Sequence, residues 1–203
     1  EDCARFLPPD RGLAVVDSLF AIAAGAGERP WDRRDEINAR AARFRQALLT
    51  RLDARPRERG VRRARAVVMA ATPWSQSVWE TEARRLCLIG GIAPPEPQMP
   101  VRTAAGTFYA DLGWWIVRLV LEIDGLIKYL EDADAVLAAQ CWHQAAMEGA
   151  GIHVERTTPA EVADGEAFLA RLRRILPLTL CEEKPVAALR TRSESRRQQG
   201  AQR

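Results

Sequence analysis

The residues with the most chemistry to offer sit in one short run, Glu122-Ile123-Asp124-Gly125, followed three positions later by Lys128. Strand side chains alternate faces, so Glu122 and Asp124 point one way and Ile123 the other. A second apolar run, 107–112, carries Asp111, and a turn over 113–116 makes the two runs an antiparallel hairpin with Asp111 near its end. Pairing alone leaves open whether Asp111 meets Glu122. Carboxylates gathered from neighbouring strands suit a hard divalent cation such as Mg²⁺, which takes oxygen ligands, negative charge and room for water. Without a cation the same cluster repels itself and raises one pKa. Lys128 is one of only two lysines in an arginine-rich chain. After the Gly125 turn it can orient a water or offset charge developing on a phosphate. Two acids at i, i+2 near a strand end equally make a solvated face, so spacing gives a candidate metal site and no more.

The elements that must position these residues are legible from period and punctuation. Apolar stripes at helical spacing predict helices over 10–24 and 33–54, the second ended by Pro56, and a shorter one over 62–71. Ser77-Val78-Trp79-Glu80 has the capping-box pattern and opens a helix to about 90, so Glu80 has a structural reason to be there. The proline-rich turn 93–97 excludes helix. Strands are expected over 98–103, 107–112 and 117–123, then a helix over 131–149, a strand over 152–157 and a helix over 166–175. The order is helices first, then helix–β–β–β–helix–β–helix. This predicts an α/β (α+β) protein with helices on a mixed sheet, divided as a helical segment 1–72, a domain 73–176 and a basic, unordered tail 177–203.

Bulk properties narrow the class. At 203 residues and 47% hydrophobic, the chain can bury one good core or two small ones. A net charge of +3 does not declare a nucleic-acid binder, but its distribution is uneven. Thirteen arginines fall between Arg29 and Arg65, whereas 104–166 holds eleven acids against Arg118, Lys128 and Arg156. Arg57, Arg59, Arg62, Arg63 and Arg65 could neutralise DNA phosphates or simply form a solvated helical face. The four isolated cysteines show no zinc spacing and read as buried thiols of a cytoplasmic protein. No apolar run is long enough to span a membrane. The first residues look like the middle of a helix, as in a piece of a longer protein. Six tryptophans invite a base-stacking reading, although packing roles account better for Trp74, Trp79, Trp114 and Trp115.

Two longer stretches, "RRARAVVMAATPWSQSVWETEARRLCLIGGIAPPEPQ" and "YADLGWWIVRLVLEIDGLIKY", resemble the endonuclease-like domain of bacterial proteins related to very-short-patch-repair endonucleases. That group belongs to the PD-(D/E)XK superfamily. In high-GC bacteria the domain follows a winged-helix part similar to AbiEi-type antitoxins, which here would lie upstream of Glu1. The resemblance covers about 62–176 and implies a restriction-endonuclease-like fold, DNA as partner, and Mg²⁺ or Mn²⁺ as cofactor. By position it implies Asp111 and Glu122 as metal ligands and Lys128 as the basic residue after E-x-D-G. Asp124 then occupies the slot where the superfamily usually has its lysine, and Glu80 matches the acid on the first helix. Arg156 fits the arginine closing the last strand, and Arg62, Arg63 and His143 are further candidates for phosphate contact.

The departures define a rival. "DLGWW" replaces the usual D-x-A-W-P turn, and "QCWHQAA", 140–146, stands where relatives carry a charged Arg-Glu-Asp cluster. A catalytically degenerate nuclease fold, kept as a DNA-binding or toxin–antitoxin regulatory module, is the alternative to a phosphodiester hydrolase active in repair or phage defence. A third option is a homo-oligomerisation module using the tryptophan-rich surface.

Overall fold

Helix punctuation explains most of the first hundred residues in the computed structural model, which describes residues 1–27, 30–125 and 133–201. Helices α1 (Asp2–Phe6), α2 (Pro9–Ala24), α3 (Arg34–Asp53), α4 (Val61–Ala70) and α5 (Val78–Gly90) follow in order. Proline at the first helical position starts α2 at no hydrogen-bonding cost, because that N–H has no acceptor in any helix. Its stripe Leu13, Val16, Phe20 and Ala24 is buried, and the Phe20 ring meets Phe44 of α3 edge-on at 5.1 Å. Ile37, Leu52, Val61, Ala64 and Val67 complete the apolar interior. The chain divides into two compact units, Glu1–Ala93 with Glu182–Arg203, and Pro94–Cys181.

This division differs from the expected seam near 72. The α5 helix belongs with the preceding helices, and so does the C-terminal stretch that composition marked as unordered. Helix α9 (Arg192–Ala201) forms there, and Leu189 just before it is fully buried. The reason is Arg85, a guanidinium buried to 1% exposure. It donates to Glu82 at 2.7 Å, to both oxygens of Glu194 at 2.7 and 3.0 Å, and to the Leu189 carbonyl at 2.8 Å. A paired, fully hydrogen-bonded charge of this kind can be buried; an isolated one cannot. Gly91 caps α5 with φ 71°, and a Cβ there would lie 2.6 Å from the Glu183 carbonyl oxygen. Only glycine lets the returning chain run so close, with Glu183 N–H donating to the Gly91 carbonyl at 2.9 Å.

A second buried ion pair sits in the same unit. The Asp17 carboxylate accepts from the Thr72 amide at 2.8 Å, the Thr81 hydroxyl at 2.7 Å and Arg84 at 3.1 Å. It ties α2 to α5 and to the connection before it.

The second unit is built on strands β1 (Glu96–Thr103), β2 (Gly106–Trp114), β3 (Leu119–Ile123) and β4 (His153–Thr157), in sheet order β1-β2-β3-β4. The first two pairings are antiparallel and β3 pairs β4 in parallel, so the sheet is mixed and the protein is α+β. Parallel neighbours need a crossover connection, and helix α6 (Ala133–Gly149) lies in it. Met147 of that helix packs with Met99, Val101, Ala110, Val120, Ile152 and Val154 on one face of the sheet. Helices α7 (Pro159–Ala163) and α8 (Gly165–Ile175) follow. Thr158 and Glu161 form a reciprocal capping box at the start of α7, and Phe168 and Leu172 bury the inner face of α8. The predicted strands and helices of this unit form within one to three residues of their expected bounds. The main difference is a 3₁₀ turn, Trp115–Val117, in place of the first residues of β3.

The cysteines are all free, as the spacing implied, but only Cys87 is buried; Cys3 and Cys141 are exposed. Trp74 and Trp114 are core residues, whereas Trp115 and Trp142 stand about half exposed. No helix among the described residues is long and apolar enough to cross a membrane.

Candidate functional site

A row of polar residues crosses the sheet, one from each strand. The β2–β3 ladder ends at Leu112↔Leu121, and Asp111 and Glu122 are the next residues on the two strands. Glu122 is the register partner of Arg156 on β4. On the other side, Pro97↔Leu112 and Met99↔Ala110 bracket Gln98 and set it opposite Asp111. Gln98, Asp111, Glu122 and Arg156 thus come one from each of four neighbouring strands, around the end of the β2–β3 ladder.

The pleat is interrupted around Asp111. Strict alternation from the Leu112↔Leu121 pair would put Ala110 and Val120 on opposite faces, yet both belong to the cluster around Met147. The adjustment falls between Ala110 and Leu112, and Gln98 opposite it adopts φ 49°, in the left-handed region. Such a conformation at a non-glycine residue costs on the order of 1–3 kcal/mol and concentrates at functional positions. Gly113 belongs to the same irregularity: the Met99 sulfur lies 2.5 Å from where its Cβ would sit. Gln98 is buried to 2% exposure. It was not among the expected site residues.

Around the row, Asp111, Asp124 and Glu155 each have hydrogen-bond partners. Asp111 accepts the Ile123 N–H at 2.9 Å, satisfying a β3 donor just beyond the last β2–β3 pair. Asp124 N–H donates to the Thr157 carbonyl at 2.8 Å, and its carboxylate takes Arg156 at 2.7 Å. Arg156 also donates to Gln144 of α6 at 3.2 Å. One residue earlier, Glu155 accepts from Arg171 at 2.6 Å and pairs with His153 at 3.0 Å. Burial alone would raise the Glu155 carboxyl, but the hydrogen bonds and charges of Arg171 and His153 hold it below the ordinary value.

Of the expected residues, Asp124 and Arg156 are in direct contact, and Asp111 on β2 binds the amide of Ile123, next to Glu122 on the neighbouring strand. Lys128 lies outside the described residues. Glu80 belongs to the first unit, where its carboxylate accepts the Gln76 N–H at 2.9 Å while Ser77 Oγ accepts the Glu80 N–H at 3.1 Å. It is a buried capping residue of α5. His143 packs its ring edge-on against Phe108 at 4.6 Å. Arg62 is exposed and Arg63 donates to the Leu7 carbonyl at 3.2 Å, both in the first unit.

Among the described residues no group of three or more His, Cys, Asp or Glu side chains is disposed to hold a metal ion. Asp111 and Glu122 supply two carboxylates from neighbouring strands. Asp124, the third candidate, is held by Arg156. Comparison with protein-family models, with curated proteins and with solved structures finds no match for this chain.

Proposed function

We propose that the second unit acts on DNA as a metal-dependent, endonuclease-like phosphodiester hydrolase. The observation that carries this reading is that Asp111 on β2 binds the amide of Ile123 on β3, next to Glu122, whose register partner on β4 is Arg156. Two carboxylates on adjacent strands meet the part of a Mg²⁺ or Mn²⁺ site that protein must supply, since such ions keep several waters. Asp111 and Glu122 would hold the cation, which when bound supplies Lewis acidity toward a phosphodiester and an acidified water. Asp111 also fixes the end of β3 through the Ile123 amide, so the ligand and the strand bearing its partner are positioned together. Arg156 holds Asp124 in place and leaves Asp124 a positioning residue. Lys128 retains the role the resemblance gives it, charge compensation at the phosphate.

The test is incubation of the protein with plasmid and single-stranded DNA in Mg²⁺ and in Mn²⁺, beside Asp111→Ala and Glu122→Ala. Cleavage by the parent chain, abolished by each substitution, is expected. Cleavage surviving both, or none under any condition, sinks the enzyme reading.

A second reading is favoured by a different observation. Asp124 is tied up by Arg156, and His143, at the position of the family's charged cluster, packs on Phe108. These contacts suit a degenerate nuclease fold that binds DNA without cutting it, in a toxin–antitoxin or defence regulator. DNA binding in EDTA without cleavage in either metal would select it.

A further inference from the structure

The first unit carries a cleft that no part of the carboxylate row explains. It has a volume of about 590 Å³ and is walled by α1, the 56–60 turn, the start of α4 and the 187–192 segment. Seven of its lining residues are arginines and one, Glu58, is acidic. Three of the arginines have structural work. Arg5 pairs with Glu58 at 2.8 Å and donates to the Arg59 carbonyl at 2.9 Å. Arg63 donates to Leu7, and Arg190 to the Ile89 carbonyl at 2.9 Å. The other four, Arg57, Arg59, Arg62 and Arg192, are exposed, and among the described residues no carboxylate or hydrogen-bond acceptor meets their guanidinium groups.

Four like charges facing one cleft repel each other, and among the described residues Glu58 is the one acid lining it. The single acid is already shared between Arg5 and, at 3.9 Å, Arg55. Helix α4 begins here with no acid in its first turn and two arginines instead, although a helix start disfavours cations. The frame beneath the charges is firm. Gly60 has φ 84°, and a Cβ there would lie 2.5 Å from the Arg5 carbonyl oxygen, so α1 and the turn lie in direct contact. The Arg5 side chain then holds the turn by its Arg59 carbonyl. A rigid wall with unbalanced guanidinium forks is complementary to an anion bearing repeated phosphates.

We infer that this cleft is a binding site for the sugar–phosphate backbone of a nucleic acid, held without reading its sequence by Arg57, Arg59, Arg62 and Arg192. The choice of a nucleic acid over another polyanion rests on the DNA reading proposed above; the anion site itself rests on the cleft. Chain segments far apart in sequence build it, because the 187–192 segment returns under the Arg85 clamp.

The experiment is fluorescence anisotropy of a labelled duplex of about 20 base pairs, in EDTA so that cleavage plays no part, from about 50 to 200 mM salt. Each phosphate contact adds roughly 0.9 to the slope of log affinity against log salt. The combined Arg57→Ala, Arg59→Ala, Arg62→Ala, Arg192→Ala variant is expected to lower that slope by about 3 to 4 and weaken binding at least about tenfold at low salt. The corresponding four Arg→Lys changes should keep the slope. A charge-matched control, Arg11→Ala, Arg43→Ala, Arg51→Ala and Arg174→Ala, removes exposed arginines outside the cleft and should change it far less. Circular dichroism melts establish that each variant folds.

Equal losses in the two alanine variants would overturn the inference, as would unchanged binding in the cleft variant. So would competition by inorganic phosphate or polyglutamate at concentrations that match the duplex. Duplex binding through the cleft by a protein that never cuts DNA would keep the inference and remove the hydrolase reading. Cutting that is indifferent to the cleft would do the reverse.

Discussion

Arg85 and the four open arginines of the cleft share one side chain and one structural unit, and they are solved in opposite ways. Arg85 is buried to 1% exposure and has acceptors from Glu82, Glu194 and Leu189 around its guanidinium. Arg57, Arg59, Arg62 and Arg192 are exposed and have none among the described residues. Full pairing in a dry site makes a charge part of the fold, and removing one member leaves the others stranded. An exposed, unpaired charge contributes little to folding and remains available to a ligand. The difference lies in the presence of acceptors, not in residue type.

The comparison breaks if Arg85→Met is well tolerated. Losing a buried guanidinium strands two carboxylates and a carbonyl, so a cost of about 3–5 kcal/mol is expected in chemical denaturation. Loss of protection from proteolysis in the C-terminal segment should accompany it. Gly91→Ala attacks the same docking from the backbone side. A left-handed alanine costs about 1–2 kcal/mol, and the 2.6 Å approach of Glu183 adds to it.

A smaller effect reads the clamp by pH. Burial alone would raise the Glu194 carboxyl, but Arg85 and the Thr191 amide hold it below its ordinary value of 4.5. A folded pKa below the unfolded one gives stability that is present above about pH 4.5 and lost as pH falls through the folded value. The melting temperature of Glu194→Gln should therefore fall short of the parent's at neutral pH, and the gap should close in acid. Smallest of all, single Arg→Ala changes at 57, 59, 62 or 192 should alter stability by no more than about 0.5 kcal/mol. A larger loss at any of them would mean that the cleft arginines, too, hold the fold together.

Much of the architecture was legible because it depends on local rules. The expected stripe of Leu13, Val16, Leu19, Phe20 and Ala23 marks the helix, with Leu13, Val16 and Phe20 buried and Leu19 and Ala23 exposed, and the Ser77–Glu80 pattern caps α5 as read. The order of strands in the second unit follows from apolar runs separated by prolines and glycines. The pair Asp111 and Glu122 was half legible: the sequence offered both acids on adjacent strands but could not say where the pairing of those strands ends. That depends on register, which is set by where the β2–β3 ladder closes. Gln98 was missed as part of the row because its left-handed backbone has no signature in residue type.

The C-terminal segment shows the limit from the other side. Its composition is polar and arginine-rich, so a rule based on average hydrophobicity leaves it unordered. One buried leucine and one carboxylate, Leu189 and Glu194, are enough when a buried arginine across the chain awaits them. Sequence alone determined the strands, the chemical types available and most helices, though not α1, α7 or α9, because period, caps and turn residues act over a few positions. Tertiary structure alone decided which charges would be partnered, because Arg85 meets Glu194, and Arg57 comes to share a wall with Arg192, only after more than a hundred intervening residues have folded.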